Sequence, residues 1–201
     1  MSQLVHKRLY SPEEYLALEE VAETKSEYYD GQLFAMAGGS FNHNLIASNV
    51  LAAFNRAVEN KPCFAFSSDL RLQIEERKKY TYADVMVICG QPQFTLGRND
   101  TITNPLILVE VLSPSTMKFD QEGKFRLYRG ITSLTDYILI DQYSFYIQYY
   151  HKLEADKWLL QTIQEPSNSL EIATLELKLP LETIYRKVVF EAHPKPRVRR
   201  V

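Results

Sequence analysis

The chain has little of several features that would assign it to a functional class at once. Its 201 residues include only two cysteines, Cys63 and Cys89, and no CxxC-type spacing. This gives no support for a thiolate zinc site or a disulfide framework, so we expect a reducing compartment. The formal net charge of -2 also lacks the strongly basic balance of a nucleic-acid coat protein. Gross charge therefore neither favours nor excludes DNA as a partner.

Long apolar runs are missing as well. No run approaches the roughly 20 residues that a membrane span needs, and the first residues lack the apolar core of a signal peptide. We therefore expect a cytoplasmic protein that binds no membrane. Because the composition does not shift along the chain, we expect a single domain over residues 1–190 and a basic, flexible tail over residues 191–201.

Several catalytic motifs are absent. The sequence has no phosphate-binding P-loop, no GxGxxG, no GxSxG and no HExxH. Nucleotide binding of those types, serine hydrolysis at a nucleophile elbow and zincin chemistry therefore have no supporting residues.

What is present is an alternation of helix and strand signals. Ser11, Pro12 and Glu14 fit a capping box that starts a short helix, and Asp30-Gly31 predicts an early hairpin. Ser40 can cap a longer helix that Pro62 ends.

Apolar runs predict the strands. We expect a half-exposed strand around 70–74, a central strand over 80–88 and a strand covered on both faces over 105–112. A helix capped by Asp120 and ending at Gly130, followed by a buried strand at 137–141, indicates a crossover unit. The aromatic runs at 145–150 and 158–163 predict antiparallel edge strands, which could also form a dimer contact. The fold class is α/β, with a mixed sheet flanked by helices and an antiparallel C-terminal edge.

Two carboxylates stand inside the most apolar strands. Asp84 directly precedes Val85, and Glu110 lies between Val109 and Val111. Burying an isolated carboxylate costs several kcal/mol, so such groups are normally paired or metal-bound. If the strands are neighbours, the two side chains can point into one cleft and offer the hard oxygen ligands that Mg²⁺ or Mn²⁺ prefers. The alternative is that each acid forms a structural salt bridge at a strand end.

Three further residues are candidates for the same chemistry. Lys124 shares one helical stripe with Asp120 and Tyr128, and its ammonium could orient water or offset charge in the transition state. An exposed Asp120–Lys124 pair is the alternative. Glu27 could project from the first hairpin, and His43 lies in the first turn of the helix capped by Ser40. His43 could equally be a surface residue or cap partner.

The order of these residues resembles the Uma-two family of restriction-endonuclease-like proteins, in the PD-(D/E)XK nuclease superfamily. The resemblance runs from about Tyr10 to Leu181, and its most specific part is the sequence EVLSPST at 110–116 followed by the helix that carries Lys124. It implies a restriction-endonuclease-like fold.

The resemblance also implies roles for individual residues. Asp84 and Glu110 would be catalytic metal ligands for Mg²⁺ or Mn²⁺, and Lys124 would be the signature lysine, moved from the strand to the following helix. Glu27 would be an additional catalytic acid. His43 would match the histidine that begins the family's long helix. From their positions we also expect His43 and Tyr128 to contact the substrate.

Two positions depart from the pattern. Ala83 replaces the usual proline before the first acid, and Leu112 stands where the strand lysine would be. Activity would therefore depend on Lys124 reaching the site from the helix.

Two functional hypotheses follow. The first is a metal-dependent endonuclease that hydrolyses DNA phosphodiester bonds. The second is a nucleic-acid-binding or protein-interaction module that keeps the nuclease fold without turnover. A homodimer would allow two sites to cut both strands, although no residue pattern indicates one.

Overall fold

A computed structural model describes residues 8–75, 78–113, 117 and 119–191. The helices are Pro12–Glu19 (α1), Phe41–Val58 (α2), Phe125–Tyr128 (α3) and Leu181–Ile184 (α4), with a π-helix at Phe119–Lys124 and a 3₁₀ turn at Ala173–Leu175. The strands, in chain order, are Ser26–Tyr29 (β1), Gln32–Ala35 (β2), Cys63–Ser67 (β3), Arg71–Ile74 (β4), Lys79–Thr81 (β5), Val85–Cys89 (β6), Thr101–Ile102 (β7), Ile107–Leu112 (β8), Asp136–Asp141 (β9), Ile147–Glu154 (β10), Lys157–Ile163 (β11), Ser169–Ile172 (β12) and Leu177–Pro180 (β13).

A six-stranded mixed sheet forms the centre of the fold, in the order β11-β10-β9-β8-β6-β3. β8 and β9 are parallel, and the chain between them contains the π-helix and α3, as the predicted crossover requires. β10 and β11 extend the sheet in antiparallel fashion, which confirms the predicted C-terminal edge. Because β8 and β9 are buried at every residue, their continuous apolar sequences match their position.

The two faces of this sheet bury separate cores. The apolar stripe of α2 packs on one face with α4, through residues such as Ile46, Val50 and Phe54. The other face packs against α3 and a second, five-stranded sheet of order β2-β1-β5-β4-β7. The fold is thus a mixed α/β arrangement with helices flanking the sheet.

Two of the three predicted helix caps, at Ser11 and Ser40, and the hairpin are confirmed. Ser11 and Glu14 form the reciprocal capping box of α1, and Ser40 Oγ accepts the His43 N–H at the start of α2. β1 and β2 pair around Asp30 and Gly31, whose φ angles of 46° and 91° fit an Asp-Gly turn.

Two strand predictions are wrong. The run 80–88 is two strands, because the chain leaves β5 in the second sheet and enters β6 in the central sheet, with Asp84 between them. β4 is not half exposed: Leu72 and Ile74 are buried in the core between the sheets, and Arg71 is buried on the other side against Tyr82. An alternating sequence indicates one exposed face only when nothing covers that face.

The predicted cap at Asp120 is also wrong. Asp120 lies inside the π-helix, and α3 starts after Lys124, which makes no side-chain cap bond. π-helical turns are rare and occur often at functional sites.

The prediction that the cysteines form no disulfide is contradicted. Cys63 and Cys89 are directly opposite on the antiparallel strands β3 and β6, and their sulfur atoms are bonded. Sequence spacing could not reveal this pair, because only the register of the two strands makes them neighbours. The expectation of a reducing compartment loses the support that it drew from unpaired cysteines.

Some predictions fall outside the described residues. The tail lies there except for Glu191, and so do residues 114–116 at the end of the EVLSPST sequence. Within the described ranges, no helix has the length and apolar content to cross a bilayer.

Candidate functional site

The candidate site lies where β6 begins and β8 ends. Val85 pairs with Val109 in the antiparallel ladder, and this register sets Asp84 opposite Glu110. Glu110 shares its sheet face with Leu108 and Leu112, which pack into the core beside α3. The register therefore brings together two acids that are 26 positions apart in the sequence.

Glu110 is bound by two side chains that follow it in the crossover. Lys124 Nζ donates to Glu110 Oε1 at 2.9 Å, and the Tyr128 hydroxyl donates to the same oxygen at 2.9 Å. All three side chains are buried. The four-residue spacing from Lys124 to Tyr128 puts both donors on one face, as predicted.

Lys124 also contacts two more carboxylates. Its Nζ lies 3.1 Å from Glu27 Oε1 and 3.5 Å from Asp120 Oδ1. The Thr81 hydroxyl, on β5, donates to Glu27 Oε1 and so links the second sheet to the site. The exposed Asp120–Lys124 pair considered as the alternative is not what forms, because the ammonium is buried and its shorter contacts go to Glu110 and Glu27.

His43 meets Asp84 from the start of α2. His43 Nε2 lies 3.1 Å from Asp84 Oδ2, and the same oxygen accepts the Val111 N–H at 2.7 Å. Gly39 allows the imidazole to lie against the backbone, since a Cβ there would be 2.5 Å from His43 Nδ1. The cap-partner interpretation of His43 is correct for its backbone, whereas its side chain reaches the acid.

The pKa values of Glu110 and Lys124 are both raised, but for different reasons. Burial raises the pKa of Glu110 well above its usual range, and nearby Asp120, Asp84 and Glu27 add to the rise while Lys124 opposes it. Burial lowers the pKa of Lys124, but Glu110 and its other anionic neighbours outweigh burial and raise it. This direction favours the protonated form of Lys124.

Exposure divides the site into a floor and a rim. The side chains of Glu110 and Lys124 are only 5% and 7% exposed, while those of Glu27, Asp84 and His43 are 13%, 15% and 16% exposed. The site is more closed than the solvent-filled cleft expected from the sequence, and its rim is the side that a substrate can approach.

Within the part of the chain that the structure describes, the site offers two carboxylates to a divalent metal, but no larger set of ligands. Among the described residues, no group of three or more His, Cys, Asp and Glu side chains is arranged to hold a metal ion. Magnesium, however, is commonly bound through one or two carboxylates and retains several waters. Asp84 and Glu110 supply two such carboxylates, and the ammonium among Glu110, Glu27 and Asp120 marks a place where positive charge is favoured.

Sequence reasoning missed two residues that hold the site together. Buried Gln142 accepts the Ser40 hydroxyl at 2.5 Å and donates to the Leu112 carbonyl at 2.6 Å, which ties the start of α2 to the end of β8. Thr81 was missed as well. Gln142 follows the buried strand β9 directly, and a polar residue at that point was the one available signal.

Comparison with known proteins identifies the family. The family model Uma2, described as "Putative restriction endonuclease", matches residues 12–182. The chain belongs to the Uma2 family. The matched range agrees closely with the resemblance seen in the sequence, from Tyr10 to Leu181.

Two curated proteins and one solved structure are similar to most of this chain. The chain is 41% identical over 182 residues to the uncharacterized protein slr1290 of Synechocystis sp., covering 90% of this chain and 93% of the relative. It is 36% identical over 170 residues to the uncharacterized protein sll1609 of the same organism, covering 85% and 96%. A crystal structure of a "putative nuclease belonging to DUF820" from Anabaena variabilis superposes with a TM-score of 0.71 at 20% identity, over 88% of this chain and 97% of that one. This likeness shows that the two chains share a fold.

Proposed function

We propose that this Uma2 protein is a divalent-metal-dependent endodeoxyribonuclease, with Asp84, Glu110 and Lys124 at its centre. The observation that carries the proposal is the contact of Lys124 with both Glu110 and Glu27, at 2.9 and 3.1 Å, beside the Asp84–Glu110 strand pair. A salt bridge built only for stability needs one acid for one base. Here several carboxylates crowd one ammonium, as in sites that manage charge during a reaction.

The proposed roles follow from these contacts. Asp84 and Glu110 would hold Mg²⁺ or Mn²⁺, which when bound would polarise the phosphoryl oxygens and lower the pKa of an attacking water. Lys124 positions that water or stabilises the charge that develops on the phosphate. Glu27 keeps the ammonium directed toward Glu110.

The positions of His43 and Tyr128 favour substrate contact for the first residue but not for the second. His43 lies on the rim in the first turn of α2, where the positive end of the helix favours a phosphate, and its Nε2 contacts Asp84. Tyr128 is 0% exposed and donates to Glu110, which favours a role in orienting that carboxylate instead of touching DNA.

Cleavage assays test the proposal. Purified protein is incubated with supercoiled, linear and single-stranded DNA plus Mg²⁺ or Mn²⁺, and with EDTA. We expect wild type to cut only with metal, and Asp84→Asn and Lys124→Met to lose the activity. Lys157→Met is the matched control, because Lys157 is 68% exposed in a surface pair with Glu154. Equal cutting by wild type, Asp84→Asn and Lys124→Met would point to a contaminating nuclease and contradict the proposal.

A second candidate function is a nuclease-fold module that binds nucleic acid or protein without turnover. It is favoured by the closed floor of the site and by Leu112 in place of a strand lysine. Calorimetric titration with Mn²⁺ separates the two functions. Binding that Asp84→Asn abolishes supports the enzyme, whereas no binding to the folded wild type supports the module. A homodimer that cuts both strands remains a prediction, which sedimentation velocity with and without duplex DNA would measure.

A further inference from the structure

Three aromatic rings form a strip beside the candidate site. Tyr29 lies in the middle, with its ring centroid 5.8 Å from that of Phe34 and 5.3 Å from that of Phe119. The interplanar angles of 65° and 84° are the edge-to-face geometry that aromatic pairs favour. We call Phe34, Tyr29 and Phe119 the aromatic strip.

The strip is continuous with the acid and lysine cluster. Phe34 on β2 is the direct cross-strand partner of Glu27 on β1. Phe119 is the first residue of the π-helix whose last residue is Lys124. The same two elements that supply Glu27 and Lys124 to the site therefore supply the two outer rings of the strip.

The outer rings are held in place and yet exposed. A Cβ on Gly123 would be 2.4 Å from the Phe119 ring, so this glycine provides the space against which the ring packs. Phe119 remains 42% exposed and Phe34 45% exposed. Rings that are fixed by packing but keep much of their surface in solvent lose little side-chain entropy when a ligand stacks on them.

The charge at the site explains why such a surface is needed. Three carboxylates, Glu27, Glu110 and Asp120, lie around Lys124, and a fourth, Asp84, contacts His43. Because acidic groups outnumber basic groups at the site, it attracts a polyanionic strand only weakly. The whole chain also has a net charge of -2. Stacking of a base on an aromatic ring does not depend on charge and strengthens the binding of single strands.

We propose that the aromatic strip binds an unpaired nucleobase next to the scissile phosphate, so that the substrate class is single-stranded or locally unpaired DNA. This inference rests on the proposed function. In an intact duplex the base faces are stacked on one another, and only an unpaired base can present a face to Phe34 or Phe119. The aromatic strip would thus select unpaired DNA over intact duplex as the substrate.

Binding and cleavage are measured separately to test it. Fluorescence anisotropy follows a labelled 20-nucleotide single strand, a fork and a duplex of the same sequence in Ca²⁺. We expect Phe119→Ala and Phe34→Ala each to weaken binding of the single strand by about five- to hundredfold. Phe64→Ala is the matched control, because Phe64 is 49% exposed on the edge strand β3 and should leave binding unchanged. Phe119→Trp should retain binding.

An abasic scan gives a readout that altered folding would not reproduce. Strands that each lack one base are compared with the intact strand. At one position, removing the base should weaken binding to wild type but should leave binding to Phe119→Ala unchanged. Equal dissociation constants for Phe119→Ala, Phe34→Ala and Phe64→Ala, or a preference for intact duplex, would overturn the inference.

A parallel cleavage arm in Mn²⁺ distinguishes the two proposals. If the phenylalanine variants bind weakly but wild type never cuts, base stacking stands and the nuclease proposal fails. If wild type cuts while Phe119→Ala binds and cuts equally well, the nuclease proposal stands and base stacking fails.

Discussion

Two buried carboxylates on the neighbouring strands β8 and β9 differ in the groups that surround them. Asp136, at the start of β9, is 0% exposed. Its Oδ1 accepts hydrogen bonds from Tyr149 and His151, and its Oδ2 accepts from Thr135 and Thr174. The four donor–acceptor distances are 2.5–2.8 Å. Glu110, near the end of β8, is equally enclosed but shares a single ammonium with Glu27 and Asp120.

The difference separates a structural group from a functional one. Each oxygen of Asp136 is satisfied by two donors, which is how a buried carboxylate stabilises a fold. Burial raises the pKa of Glu110, the neighbouring carboxylates raise it further, and an arrangement of that kind is typical of sites that bind or react. Four predictions test this contrast.

Cleavage should show the largest difference. We expect Glu110→Gln to lower the DNA cleavage rate about 100-fold or more, because the charged oxygen ligand is lost. Asp136→Asn should stay within a few fold of wild type, since it lies outside the candidate site. Rates come from single-turnover assays on a labelled strand. If Asp136→Asn were as inactive as Glu110→Gln, the contrast would fail.

Stability should show the reverse order. Asp136→Ala leaves Tyr149, His151, Thr135 and Thr174 without their acceptor, and we expect a loss of about 3 kcal/mol in the free energy of unfolding. Glu110→Gln should cost under about 1 kcal/mol, because Lys124 keeps Glu27 and Asp120. Urea denaturation measures both values. A larger loss in Glu110→Gln than in Asp136→Ala would show that Glu110 is mainly structural.

Metal should stabilise one carboxylate region and not the other. At about 100 times its dissociation constant, Mn²⁺ should add about 2.7 kcal/mol to wild type, or a rise in Tm of about 5 °C or more. Asp84→Asn should abolish the rise, and Asp136→Asn should keep it. Differential scanning fluorimetry provides the measurement, and a rise that persists in Asp84→Asn would place the metal elsewhere.

The smallest effect concerns His43. Burial lowers its pKa, but the hydrogen bond and charge of Asp84 outweigh burial and raise it above 6.5. The protonated pair therefore stabilises the fold fully below pH 6.5, and this contribution is lost as the pH rises through the folded-state pKa. NMR titration of the imidazole should give a pKa above 6.5 in wild type and a lower one in Asp84→Asn. An unchanged pKa in Asp84→Asn would remove His43 from the acid pair.

Local signals allowed much of this molecule to be predicted. The caps at Ser11 and Ser40, the Asp30-Gly31 turn and the β8–β9 crossover each depend on residues close together in the chain. The site depends on register and on sheet exchange. Thr81 and Asp84 are three residues apart but lie on either side of a switch between two sheets, and a continuous β-prone run conceals that switch. The Cys63–Cys89 bond and the bridge through Gln142 were likewise missed because each joins residues that only the folded topology makes neighbours.

The most direct test is anomalous diffraction from a crystal of the wild-type protein soaked in Mn²⁺. The account predicts one strong peak within about 2.6 Å of carboxylate oxygens from both Asp84 and Glu110, with the Lys124 ammonium beside it. A crystal equilibrated with Mn²⁺ could instead show no anomalous peak there and keep the hydrogen bond from Lys124 to Glu110. That result would contradict a metal-dependent site.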